Sequence, residues 1–345
     1  MGNGTMANLT VNSILSDTEY VVVGIYLLVL GVLAIPSNAF VIAVLVKGNP
    51  KFHAIHNILI LNISICDLLL AAVAFPLWSS TSFYGRWIWP DFLCTFSGFW
   101  CFLLAETDMN ALAAIAVLRY IIVCKPEYEY YLKLKWAKYV VLGIIWSHSV
   151  IVTSMPLFGW STYKQEAFRT SCSIDWTAKT TSVVSYNIFL IISCYCGHLA
   201  IFVFCYTHII KTFKVADLMQ YGTGDDRTVK LEKVTWYHKI TTSRNVTVVR
   251  KYIHGLVLAW TPYTLASLYT MSNDATSVWV IVVPTMLAKS CTLLNPVVCA
   301  LTSSKFRKAA RKMLTKNNTV QPTVAGIELT DGGSNRVNPS KIVKT

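Results

Sequence analysis

Seven stretches of this chain are apolar and long enough to cross a bilayer, at about residues 20–46, 57–78, 92–117, 138–158, 183–210, 248–271 and 277–301. A membrane core takes ~20 apolar residues per helical crossing. Inside lipid every backbone N–H and C=O must be satisfied within the segment, so each stretch must be a helix. Pro36, Pro156, Pro262, Pro284 and Pro296 fall inside these stretches, where neighbouring helices can satisfy the backbone groups they free. Only 14% of the residues are charged, against roughly 25% in soluble domains. The sequence therefore predicts an all-α membrane protein, a seven-transmembrane-helix bundle.

Charge orients the bundle. No Lys or Arg precedes the first span, and only Arg86, Lys164, Arg169 and Lys179 lie in the other loops on that side. The opposite side holds two in the first loop, five around the third-to-fourth loop, nine between 211 and 251 and nine in the tail. The positive-inside bias predicts an N-terminus outside and a C-terminus in the cytosol; the expected location is the plasma membrane, with the N-terminus extracellular. The net charge of +13 then belongs to a surface facing the inner leaflet, with no nucleic-acid partner implied. Asn3 and Asn8 stand in Asn-X-Thr sequons on the outer side and are the candidate glycosylation sites. The sequons at Asn62, Asn245 and Asn317 fall in a span or on the cytosolic side and are expected to be unused. Residues 1–19 have neither a basic start nor an apolar run, so no cleavable leader is expected and the first span serves as its own insertion signal. The expected organisation is an outer tail (1–19), the bundle (20–302), an amphipathic eighth helix (303–315) and a disordered cytosolic tail (316–345). The eighth helix is read from Phe306, Ala309, Ala310, Met313 and Leu314 spaced among cations.

Two features carry chemistry. Cys94 and Cys172 lie on the oxidising side, one at the top of the third span and one in the loop before the fifth. A disulfide between them would draw that loop over the bundle as a lid. The other feature is Lys289, near the middle of the last span. About twelve residues at 1.5 Å each place it ~18 Å from either interface, beyond the reach of snorkelling. A charge at that depth costs ~2.5–3.5 kcal/mol on the insertion scale. It could serve a structural ion pair or an ion site. Alternatively, desolvation favours the neutral amine, a nucleophile that condenses with an aldehyde to a Schiff base.

Lys289 precedes Asn295-Pro296 by six residues in "AKSCTLLNP". With Asn38, Asn62 and Asp67 in "LNISICD", Cys94, Arg119-Tyr120, Trp146, Pro156, "GWSTY", "SCSIDW", Tyr206, "WTPY" at Trp260–Tyr263 and "KFRK", the chain resembles the opsins over roughly residues 20–315. These are retinal-binding receptors, and the details are similar to the non-visual peropsin, neuropsin and retinochrome groups. The resemblance implies retinal as covalent cofactor on Lys289. It implies a chromophore pocket including Glu106, Trp260, Tyr263 and Ser97, and an activation switch of Arg119, Tyr120, Tyr206, Asn295 and Pro296. Visual opsins carry a counterion Glu where this chain has Ser97, so Glu166, six residues before Cys172, is the expected counterion. Glu106 is expected beside the retinal ring, where a protonated Glu tunes absorption. Asp67 and Asp108 are expected to meet and share one proton or a sodium ion, since close carboxylates resist joint ionisation.

The chain also departs from the family. Leu118 stands where an acid usually precedes Arg-Tyr, Thr242 where visual opsins have a span-six Glu, Cys299 where a Tyr is usual, and His198 where a span-five Pro is usual. Arg119 thereby loses both usual ionic partners, and the fifth span is expected to lose its distortion. The favoured reading is a light-sensing, non-enzymatic receptor acting through a heterotrimeric G protein, with receptor kinase and arrestin as further partners. The candidate phosphate acceptors are Thr315, Thr319, Thr323, Thr330, Ser334 and Ser340. The alternative is a retinal photoisomerase like retinochrome. A receptor for a diffusible ligand and an ion transporter both leave Lys289 poorly explained.

Overall fold

The computed structural model describes residues 15–48, 54–220, 257–273, 277–302 and 304–318. Asn3, Asn8, Thr242, Asn245, Ser303, Thr319, Thr323, Thr330, Ser334 and Ser340 lie outside the described residues, as does the side chain of Asn295. The first helix is Asp17–Gly48. It starts at a reciprocal cap: the Ser16 N–H donates to Glu19 Oε2 at 2.7 Å and the Glu19 N–H to Ser16 Oγ at 3.4 Å. The second, third and fourth helices are Ile55–Phe83, Asp91–Cys124 and Ala137–Ser154. The fifth runs as Thr181–Leu190, a π turn at Ile191–Cys196, then Gly197–Gln220. Residues 257–272 form the described part of the sixth. The seventh is Val278–Lys289, a 3-10 segment Ser290–Leu293, then Leu294–Thr302. Among the described residues, five helices are long and apolar enough to cross a membrane by length and composition alone.

The burial pattern is that of a bundle in an apolar solvent. Leu27, Ala34, Cys66 and Phe75 pack in the main core, while large residues such as Val22, Val32, Ile144 and Leu258 point outward. In water such a surface would be an aggregation hazard; facing lipid it is the expected exterior. The eighth helix, Ser304–Asn318, is amphipathic. Phe306 meets Phe40 edge-on at 6.4 Å and packs with Val41, Val44, Leu45 and Cys299. Arg307 Nη1 donates to the Ala300 and Leu301 carbonyls at 3.0 Å each, satisfying acceptors left at the end of the seventh helix.

Two departures from helical regularity matter. The fifth span keeps a distortion although it lacks the usual proline, which corrects the expectation drawn from His198. Its ring Nδ1 bonds the Cys194 carbonyl one turn back, inside the π turn, so a side chain occupies the backbone acceptor that proline would otherwise disrupt. In the seventh span the 3-10 segment begins directly after Lys289 and is gripped from the first span. Tyr26 Oη donates to the Met286 carbonyl at 3.1 Å and Asn38 Nδ2 to the Thr292 carbonyl at 2.9 Å.

The lid is a two-stranded antiparallel ribbon, β1 Tyr163–Gln165 and β2 Cys172–Ile174, with Gln165 opposite Cys172. The Cys94–Cys172 disulfide ties it to the third helix. Gly98, one turn further along that helix, allows the close approach. A Cβ there would lie 2.9 Å from the Tyr163 ring and 3.5 Å from the Cys172 backbone.

Candidate functional site

Beneath the lid lies a cavity of about 230 Å³, bounded by the second, third, fifth, sixth and seventh helices. Its walls are predominantly apolar, including Leu70, Phe102, Met109, Leu112, Ile174 and Trp260. Lys289 enters from the seventh helix, its side chain 10% exposed. Nζ lies 3.4 Å from Glu166 Oε2 and 3.3 Å from Ser171 Oγ, and the Ser171 hydroxyl itself donates to Glu166 Oε2. The lid therefore brings an anion and a hydroxyl to the amine, and the Glu166 side chain is 7% exposed. Aromatic rings of Trp78 and Phe168 also face the ammonium group, with centroids 4.2 and 5.8 Å from Nζ.

The lid is fastened over this pair at several points. Thr81 Oγ1 donates to the Thr170 carbonyl at 2.6 Å and Ser82 Oγ to Thr170 Oγ1 at 3.2 Å, both from the turn following Trp78. Lys164 Nζ pairs with Asp175 Oδ1 at 2.8 Å, and the same oxygen accepts the Thr177 and Ala178 backbone N–H groups. Burial pushes the Asp175 carboxyl up, but the Lys164 bond and the two backbone donors outweigh it and hold the carboxyl below its ordinary value.

From the sixth helix, Trp260 and Tyr263 line the cavity with ring centroids 6.0 Å apart. Trp176 Nε1 from the lid side donates to Tyr263 Oη at 3.0 Å. Glu106 is 4% exposed and accepts from Asn110 Nδ2 at 3.2 Å. Asn110 Oδ1 meets His198 Nε2 at 3.0 Å, and His148 Nδ1 lies 3.5 Å from Glu106 Oε1. The sequence singled out Glu106 but not this four-residue polar group, whose members come from three helices. Deeper still, Asp67 and Asp108 both line the cavity, and Asp108 faces Asp67 and the Cys66 thiol.

Ser97 does not join these residues. It is fully buried, and its hydroxyl donates to the Cys94 carbonyl of its own helix at 3.1 Å. Ser97, expected in the pocket, is thus turned into its own helix rather than toward Lys289. The expected switch residues sit elsewhere, at the inner ends of the helices. Arg119 Nη2 donates to His56 Nε2 at 2.9 Å, a partner that sequence reasoning missed. Tyr120 packs against the rings of Phe204 and His208. Tyr206 is half-buried on the fifth span and Pro296 is buried on the seventh.

Residues 37–298 match the family model described as 7 transmembrane receptor (rhodopsin family). The chain is 29% identical to "Rhodopsin, GQ-coupled" of Mizuhopecten yessoensis over 85% of its own length and 59% of that protein's, so it spans less than two thirds of this relative. It is 25% identical to "Visual pigment-like receptor peropsin" of Homo sapiens over 91% of its length and 90% of that protein's. Squid rhodopsin shares the fold with a TM-score of 0.75 at 22% identity, covering 89% of this chain and 88% of that one.

Proposed function

This chain belongs to the rhodopsin family of seven-transmembrane receptors, and within it we propose a light-sensing opsin of the plasma membrane that holds retinal on Lys289 and signals through a heterotrimeric G protein. The observation that carries this reading is a buried amine, with its own carboxylate, in an apolar cavity beneath the lid. The lining suits retinal: one nucleophilic nitrogen at the lid end, and apolar and aromatic walls beyond it. Bound there, retinal supplies the light absorption and the change of shape.

The chain's own residues do the rest. Lys289 provides the attachment nitrogen. Glu166 holds positive charge on that nitrogen, aided by Ser171. The lid excludes water, which strengthens the pair. Trp260 and Tyr263 report changes in the cavity to the sixth helix. The names of the relatives, a Gq-coupled rhodopsin and a visual pigment-like receptor, support a receptor role.

The test is reconstitution of the purified chain with 11-cis and, separately, all-trans retinal, with spectra before and after light and extraction of the isomers. A pigment formed from 11-cis retinal, absent in Lys289→Ala and driving nucleotide exchange on a G protein after light, is the expected result. Preferential uptake of all-trans retinal, converted to 11-cis without G-protein activation, would establish the photoisomerase instead. No Lys289-dependent pigment with either isomer would sink the reading.

A further inference from the structure

Glu166 is not the sole group placed to hold charge at Lys289. We propose that Trp78 is a second, uncharged counter-partner, whose indole face stabilises the positive nitrogen of Lys289 alongside the Glu166 carboxylate. The inference rests on the opsin reading for its consequence in the pigment, but its geometry stands on the retinal-free chain.

The indole centroid lies 4.2 Å from Nζ, well inside the ~6 Å within which a cation is attracted to a ring face. Trp78 is 3% exposed, so the contact is largely desolvated, and tryptophan has the strongest face of the natural rings. The choice of residue is itself informative. Trp78 Nε1 is buried with no hydrogen-bond partner among the described residues. A buried unmet donor is a standing cost that Phe or Leu would avoid in the same apolar wall. What indole supplies in exchange is the electron-rich face turned to the ammonium group.

The placement is also held rigidly. Trp78 packs with Phe75 at 5.9 Å in the main core. Its carbonyl lies within hydrogen-bond distance of the Thr81 and Ser82 hydroxyls that also reach Thr170, next to the Ser171 that bridges Glu166 and Lys289. One turn of the second helix thus presents the ring and pins the lid that brings the anion. Charged and titratable groups facing Lys289 from the other elements are Glu166 of the lid and Cys101 of the third helix. Tyr263 of the sixth helix lies beyond Glu166, and Tyr26 of the first is bonded to the Met286 carbonyl. Of these groups only Glu166 is a carboxyl, and it is the one paired with Nζ.

The experiment compares parent, Trp78→Phe, Trp78→Leu, Glu166→Gln and the Trp78→Leu/Glu166→Gln double variant. In pigments made with 11-cis retinal, the readout is the pH at which the visible band gives way to the ultraviolet band. Removing the ring destabilises the charged nitrogen, so the midpoint falls. Trp78→Leu should lower it by about one pH unit or more, a tenfold change in the proton equilibrium, with Trp78→Phe between. The double variant should fall below Glu166→Gln alone.

A second arm uses the retinal-free chain. Lys289 is methylated with formaldehyde and cyanoborohydride across a pH series and followed by peptide mass, with Lys289→Ala assigning the signal. The half-maximal pH of modification should again be lower in Trp78→Leu. Should Trp78→Leu fail to fold, Trp78→Phe carries both arms with the same direction. Coincident midpoints for parent and folded Trp78 variants overturn the inference while leaving the opsin reading intact. Failure of the parent to form any pigment sinks the opsin reading, and the methylation profiles then decide the role of Trp78 alone.

Discussion

The two ends of the bundle treat a cation in different ways. At the outer end, Lys289 meets a carboxylate, a hydroxyl and an aromatic face, under a lid locked by a disulfide and side-chain bonds to the second helix. At the inner end, Arg119 meets the imidazole of His56. An arginine can only donate, so His56 Nε2 must be an unprotonated acceptor in this contact. The preceding residue, Leu118, is a buried apolar side chain, 5% exposed, where an acid would have formed an ion pair. The outer end is built to hold a charge in place. At the inner end a neutral imidazole is among the contacts of the arginine.

The sharpest way to break this contrast is at Glu166. Glu166→Leu leaves Lys289 buried without its anion, and removing one member of a buried pair costs ~3–5 kcal/mol. The thermal midpoint of the detergent-solubilised, retinal-free chain should drop sharply, and the Glu166→Leu/Lys289→Ala double variant should recover most of the loss. An unchanged midpoint would mean that the outer pair is not holding the lid.

Next in size is the disulfide. Cys94→Ser should cost ~2–5 kcal/mol, read as lost yield of folded protein at the cell surface. A smaller effect is expected at the inner end. His56→Leu removes an acceptor from a charged donor, worth ~1.5–3 kcal/mol, and should raise G-protein nucleotide exchange in the dark by about tenfold or more. A dark rate equal to the parent's would show that His56 does not restrain Arg119.

The smallest effect concerns the lid rim. Asp175 titrates below its ordinary value in the folded chain, so its contribution is fully present above about pH 4. That contribution is lost as pH falls through the folded value. Asp175→Asn should cost ~1 kcal/mol at pH 7 and nothing in strong acid. Lys164, 41% exposed at its side chain, should cost less when replaced by Ala. Melting curves at two pH values separate these outcomes.

Much of this architecture was legible in the sequence because it follows from composition and position. Seven apolar stretches, the sidedness of Lys and Arg and the depth of Lys289 are local or countable properties. Cys94 and Cys172 shared an oxidising side and had few alternatives. Contacts made by packing left no such trace. His56 and Arg119 are 63 residues apart, and nothing in either neighbourhood marks them as partners. Ser97 lies on the right helix, but the sequence does not say that its hydroxyl turns back to its own backbone. Trp78 was one aromatic among many in an apolar span. The π turn was missed because distortion was sought in a proline, whereas a histidine bonded to its own helix occupies the place.

The 3-10 segment Ser290–Leu293 that follows Lys289 has an arithmetic of its own. A 3-10 residue rises ~2.0 Å and turns ~120°, against ~1.5 Å and ~100° for an α residue. Recoiling these four residues into α geometry would draw the inner half of the seventh helix outward by ~2 Å and rotate it by ~80°. The two bonds from the first helix, to Met286 and Thr292, bracket most of that stretch and set its winding. Spin labels at the exposed Val283 and Leu301 would register the shortening, and an unchanged distance after illumination would show that the thread stays wound. Lys289 thus sits at the end of a screw, where a small change of pitch is geared into a large turn of the helical half that follows it.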